Sequence, residues 1–268
     1  MSIPPTSTPP LHPVPDLEKM LSELPTALFD DGDDGDYLPI SQDCSDRSDG
    51  RLPGCITLKS SQDLATEFAK SEAETGDKVR CLILAENGGP WIEQSTFTNI
   101  PTSLCNHVES LEFCHLNRPR FDEWSLTDGL KKNLTSLVLQ NVRTDRNMLR
   151  SFICTLPNLD NLVLDRISWL GDGILSPEKP PIAPRFKGKL ALQGIRCDGG
   201  ENCLFAHLKP MPLSDLSVVN CDFQSPESLR DLFLTCGGTV KRVKLCDIDF
   251  PIPGSFRWRS CVFEILHF

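Results

Sequence analysis

Six-residue phrases of one pattern recur along this chain at nearly constant spacing. They are VRCLIL from Val79, VESLEF from Val108, LTSLVL from Leu134, LDNLVL from Leu159, LSDLSV from Leu213 and VKRVKL from Val240. A seventh, KGKLALQGI from Lys187, carries Leu190, Leu192 and Ile195 in the same phase. Successive starts lie 29, 26, 25, 28, 26 and 27 residues apart. One L-x-x-L-x-L means little because leucine is common, but seven in phase mark a repeat, and a repeat of this length constrains the fold more than any other feature of the chain.

Within a unit the apolar positions fall at offsets 0, +3, +5 and +8, as in Leu159, Leu162, Leu164 and Ile167. That spacing fits neither a helix face nor an alternating strand. It does fit a strand that ends in a bend. Residues +3 and +5 point inward by alternation, and +8 lies past the strand end where the chain turns. Helical spacing follows the strands, as in Leu149, Phe152, Ile153 and Leu156, or Leu229, Leu232, Phe233 and Cys236. Asn or Gly stands before several strands, in KKN-L, LPN-L and CGGT-V, as a turn signal. Each unit is thus a strand, a turn, a helix and a return, and can bury its apolar face only against its neighbours. The fold class predicted is α/β: a curved solenoid with parallel strands on the concave side, helices on the convex side and irregular repeats.

The repeat occupies part of the chain. Residues 1–51 are read as a disordered, Pro-rich and acidic region, and residues 52–268 as the repeat domain. Six prolines fall in the first fifteen residues, a composition that builds no core. Leu17, Met20, Leu21, Leu24 and Leu28 then form a short amphipathic stripe, followed by DDGDDGD (30–36), a solvated acidic linker. Read as a calcium loop, that stretch puts Gly32 in a ligand slot and Ser41 where glutamate is needed, so it fails. In CITLKSSQDLATEFAKS, Ile56 and Leu58 alternate, Ser60 or Ser61 is a plausible N-cap, and Leu64 and Phe68 lie on a helix. LGDGILSPEKPPIAPRFKGK (170–189) interrupts the array as a Pro-rich loop, and RWRSCVFEILHF ends the sequence on apolar residues, as if the array continued.

Charge and cysteine usage exclude some functions. Net charge is −10, of which residues 1–54 carry −8 (11 acidic against 3 basic side chains). An acidic tail on a near-neutral body argues against nucleic-acid binding and against docking on anionic membranes. No apolar run is long enough for a transmembrane helix, and the first residues lack the features of a secretory signal, so a cytoplasmic or nuclear location is expected. There the 12 cysteines are expected as thiols, mostly buried, and none is spaced as CxxC. Cys197 and Cys203 come nearest to a metal or redox pair, without further ligands at the right spacing. The five histidines show no HExxH spacing, and neither a nucleophile elbow nor a phosphate loop is present. The chain reads as a non-enzymatic monomer without cofactors.

Function then falls to the concave surface, where alternation places +1, +2, +4, +6 and +7. The +4 column contains Ile83, Glu112, Val138, Val163 and Ala191; the +7 column includes His115, Asn141 and Arg166. With Asn161 and Asp165, which the same alternation turns outward, these residues form the candidate protein-binding face. An apolar column facing solvent is the signature of a partner surface, although valine is also a good strand residue when exposed.

The run ITLKSSQDLATEFAKS, KVRCLIL, then LTSLVLQNV and MLRSFICTLPNLDNLVLDRISW resembles the F-box-associated leucine-rich-repeat proteins of mushroom-forming (basidiomycete) fungi, over about residues 52–250. In the motif L-x-x-L-x-L-x-x-N/C-x-L, Asn87 and Cys221 match the N/C position and the other units carry Leu116, Val142, Ile167, Ile195 and Ile248 there. LPTALF (24–29) resembles the opening LPxELL of an F-box, with DDGDDGD in place of the helices that follow it. The resemblance implies repeats that hold a protein substrate and an F-box, here degenerate or missing, that meets a Skp-type adaptor of a cullin ubiquitin ligase. A stand-alone repeat scaffold without a ligase connection is the alternative, and an enzyme of unrecognised type a distant third.

Overall fold

The computed structural model describes residues 54–64, 66, 79–86, 89–121, 124, 126–170, 188–197, 213–223, 226–236, 240–249 and 258–264. All of them belong to the second of two units into which the chain divides, Pro39–Phe268. The readings of residues 1–51, of 171–187 within the Pro-rich insertion, and of Cys203 fall outside the described residues.

Among the described residues, nine strands form the main sheet: β1 (Cys55–Leu58), β2 (Cys81–Ala85), β3 (Ser110–Cys114), β4 (Ser136–Gln140), β6 (Asn161–Asp165), β8 (Lys189–Gln193), β10 (Asp215–Val219), β12 (Arg242–Ile248) and β13 (Trp258–Glu264). They lie in chain order, each hydrogen-bonded to the next, and the first eight are parallel. This is a mixed α/β architecture compatible with an α/β solenoid. The last strand departs from the expected continuation of the array: β13 runs antiparallel to β12.

Helices among the described residues include α1 (Gln94–Thr98), α2 (Thr102–Cys105), α3 (Asp128–Asn133), α4 (Arg146–Cys154) and α5 (Pro226–Cys236). They pack on the sheet face that bears the +3 and +5 side chains. Leu82, Leu111, Leu137, Leu162, Leu190, Leu216 and Val243 form the +3 column, and Leu84, Phe113, Leu139, Leu164, Leu192, Val218 and Leu245 the +5 column; all are buried in one core with Phe97, Leu104, Leu130, Leu149, Phe152, Ile153 and Leu232 from the helices. The +8 residues Leu116, Val142, Ile167, Ile195, Cys221 and Ile248 are also buried there. In that core Phe113, Phe121, Trp124 and Phe152 form an aromatic cluster, with Phe121 and Phe152 stacked at 4.9 Å. Side-chain caps fix two helix starts: Asp145 accepts from the Asn147 and Met148 N–H groups, and Thr127 from that of Leu130. After β1, Ser60 Oγ accepts the Asp63 N–H, which makes Ser60 the N-cap of the helical turn containing the buried Leu64.

The end of each strand is where the fold needs special chemistry. The +7 residues of six successive units, His115, Asn141, Arg166, Gly194, Asn220 and Asp247, all have φ between 49° and 60°. This left-handed corner suits Gly, Asn and Asp, and costs more at Arg166 and His115. It keeps the backbone paired. The N–H groups of His115, Asn141, Arg166, Gly194 and Asn220 donate to the carbonyls of Gln140, Asp165, Gln193, Val219 and Cys246 in the following unit, at 2.8–3.0 Å. Beyond the corner, β5 (Arg143–Thr144) pairs in parallel with β7 (Ser168–Trp169), and β9 (Arg196–Cys197) with β11 (Asp222–Phe223). With aliphatics in most +8 slots, backbone-to-backbone bonds thus satisfy groups that a side-chain amide ladder would otherwise meet. Amide clamps occur at the other end of the strands instead. Asn133 Nδ2 donates to the Asn106 carbonyl (2.9 Å) and Asn158 Nδ2 to that of Lys132 (2.7 Å), where helices α2 and α3 end.

Two substitutions test this construction by urea denaturation. Leu162→Ala, at a fully buried +3 position, is expected to cost about 2–5 kcal/mol. Gly194→Val adds a β-branched side chain at φ 58°, where a Cβ would stand 3.1 Å from Arg166 Cγ; it is expected to cost about 1–2 kcal/mol from the corner alone. A neutral Gly194→Val would contradict the left-handed assignment.

Candidate protein-binding face

The sheet face opposite the helices carries three residues from each strand, aligned across units by the parallel register. The +2 column is Cys81, Ser110, Ser136, Asn161, Lys189, Asp215 and Arg242; the +4 column is Ile83, Glu112, Val138, Val163, Ala191, Ser217 and Lys244; the +6 column is Ala85, Cys114, Gln140, Asp165, Gln193, Val219 and Cys246. Side chains in a column are register neighbours, so each experiences its counterparts in the units on either side.

Burial divides the candidates from the sequence into two groups. Val138, Asn141, Asn161, Val163 and His115 are half-buried, and Arg166 is exposed. Ile83, Glu112, Asp165 and Ala191 are buried, which corrects the expectation that they stand open to solvent. Ile83 packs with Ala85 and Cys114, and with Cys81 at the edge, in an apolar cluster separate from the main core. Glu112 lies between Ile83 and Val138 in register. Ala191 offers a lone methyl between Val163 and Ser217.

Asp165 is buried within a polar group. Its side chain is 2 % exposed beside an Arg166 that is 45 % exposed. Gln140 Nε2 donates to Asp165 Oδ2 at 3.0 Å, and Arg166 donates to the same oxygen from Nε and Nη2 at 3.3 and 3.1 Å. Asp165 Oδ1 has no hydrogen-bond partner among the described residues. In register, Asp165 stands between Gln140 and Gln193. Residue type alone does not single out these glutamines; the signal for them is their place two residues after Val138 and Ala191, on the same face.

The described cysteines are of two kinds. Cys55, Cys81, Cys105, Cys154, Cys221 and Cys246 are free thiols. Burial, reinforced by the neighbouring Cys55, pushes the Cys81 thiol up to about 12, so it stays protonated and unreactive at neutral pH. Cys114 corrects the thiol reading, because it is disulfide-bonded. Its sulfur lies 3.5 Å from Glu112 Oε1 and 3.9 Å from Gln140 Oε1, close contacts in which an oxidised sulfur has no proton to donate. Among the described residues no group of three His, Cys, Asp or Glu side chains is placed to hold a metal ion, and no helix is long and apolar enough to cross a membrane.

The face therefore offers a half-buried valine pair, Val138 and Val163, side by side in register, bordered by Asn161 and by the corner residues Asn141 and Arg166. Such a surface can bind an apolar side chain and orient it through hydrogen bonds at the rim. No protein-family model, curated protein or solved structure matches the chain.

Asp165→Ala would leave the Gln140 amide and the Arg166 guanidinium without their shared acceptor. A loss of about 1–3 kcal/mol in urea denaturation is expected, and an unchanged midpoint would show that the buried carboxylate does not organise this face.

Proposed function

We propose that the chain is a leucine-rich-repeat solenoid of the F-box-associated kind, acting as a non-enzymatic, substrate-receptor-like module that holds a protein on the open face of its sheet. The observation that carries this reading is the registered grid on that face, with Val138 and Val163 half-exposed at its centre and polar groups around them. A surface built from side chains on successive rigid strands is preorganised, so a partner does not have to order it on binding. The resemblance of LPTALF (24–29) to the opening of an F-box supports a link to a Skp-type adaptor. The acidic run DDGDDGD that follows favours the second reading, a stand-alone interaction scaffold with no ligase connection.

Binding of a purified Skp-type adaptor by the full chain, read by size-exclusion chromatography, separates the two: a complex supports the receptor reading, and its absence leaves the scaffold. Val138→Asp with Val163→Asp is expected to weaken capture of partners recovered by cross-linking at least tenfold, about 1.4 kcal/mol, with the melting temperature of the free chain unchanged. Full retention of those partners by the folded double variant would remove this face from the account.

A further inference from the structure

Strands β1 and β2 set two thiols side by side. Cys55 and Cys81 are register partners on these adjacent parallel strands. The next aligned pair, Ile56 and Leu82, packs into the core, so alternation turns both cysteines to the open face. Neighbouring strands lie about 4.7–4.9 Å apart, inside the roughly 4.4–6.8 Å Cα separation that a disulfide spans. Among the described strands no other two cysteines are aligned in this way. Both are free thiols, and each residue keeps part of its surface in solvent.

The two sulfurs are not equivalent. Burial, then the charge of Cys55 and a hydrogen bond with it, then the Glu112 carboxylate push the Cys81 thiol up to about 12, against an opposing hydrogen bond with Ser110. Cys81 also packs on the apolar cluster of Ile83, Ala85 and Cys114. Because the thiolate is the nucleophile, Cys81 is a poor first attacker, and that role falls to Cys55. Once the Cys55 sulfur is bound to another, its charge is gone, and with it a cause that held the Cys81 proton. The second attack is then intramolecular, between groups already aligned.

We propose that Cys55 and Cys81 form a dithiol redox site that takes a low-molecular-weight disulfide as its oxidant. The Cys55 thiolate attacks one sulfur of the reagent, forming a mixed disulfide and expelling a thiolate, which picks up the proton Cys55 had released. Cys81 then gives up its proton and attacks Cys55 Sγ, and the second thiolate leaves with that proton. Two protein thiols are oxidised to one disulfide while the reagent is reduced to two thiols. Side chains in register stand parallel, so their Cβ atoms start farther apart than the roughly 3.5–4.5 Å of an unstrained disulfide. The bond that forms is therefore readily reduced, and the site is reversible.

Peptide mapping of the folded full chain, held with oxidised glutathione at neutral pH and then alkylated, tests this. The wild type is expected to yield a Cys55–Cys81 linked peptide, which excess reduced glutathione returns to two alkylatable thiols. Cys81→Ser is expected to stop at a glutathione mixed disulfide on Cys55. Cys55→Ser is expected to leave Cys81 modified about tenfold more slowly than Cys55 is in Cys81→Ser, as its protonated thiol requires. Should a serine variant fail to fold, alanine at the same position provides the comparison. The proposal is overturned if the wild type gives no linked peptide, if Cys55 joins a different cysteine, or if Cys81 in Cys55→Ser reacts as fast as Cys55 in Cys81→Ser.

Discussion

The backbone hydrogen-bond ladder between successive parallel strands, which does not stop where the strands stop, is the constraint on which the rest of this structure depends. A parallel strand that ended in an ordinary loop would leave the N–H and C=O groups at its end to find water or side chains. Here the chain turns through a left-handed residue at His115, Asn141, Arg166, Gly194, Asn220 and Asp247, and that residue's N–H still reaches the next unit. Two residues later the ladder runs backwards: the Arg143, Ser168, Asp222 and Asp249 N–H groups donate to the carbonyls of Leu116, Val142, Ile195 and Cys221 in the preceding unit. Neighbouring units are tied in both directions, and an aliphatic +8 residue can go into the core without an amide to serve the backbone.

That ladder fixes the register, and the register aligns the columns of the open face. With each strand aligned residue for residue, Val138 sits beside Val163, Gln140 beside Asp165 and Ser136 beside Asn161. Substitutions on this face therefore act through columns. The buried Asp165 depends on Gln140 from the preceding unit and on Arg166 from its own corner, and Arg166 accepts the strain of a left-handed backbone while making that bond. Strain held by local interactions is characteristic of sites where geometry matters.

The core was legible in the sequence because its pattern is dictated by covalent geometry: alternation within a strand gives +3 and +5, and the turn gives +8. Leu190, Leu192 and Ile195 are in place even though Lys187 fills the first slot of their unit. Alternation also identified which residues share the front face. It carried no information on what desolvates them, so Ile83, Glu112, Asp165 and Ala191 read as open when they are buried. The +7 column, placed on the candidate face by its sequence position, contains Asn141, Gly194, Asn220 and Asp247, the residue types that tolerate a left-handed corner, a backbone signal in side-chain form. The asparagines of KKN-L and LPN-L were recognised as turn residues, but the carbonyls they clamp, at Asn106 and Lys132, lie 27 and 26 residues away and follow only from stacking.

Hydrogen–deuterium exchange resolved to single amides tests the continuity of that ladder most directly. The account predicts that the corner amides of Asn141, Arg166, Gly194 and Asn220, with those of Arg143 and Ser168 beyond them, exchange as slowly as the strand amides of Leu162 and Leu164. Exchange of the corner amides at open-loop rates, with the strand amides still protected, would contradict it.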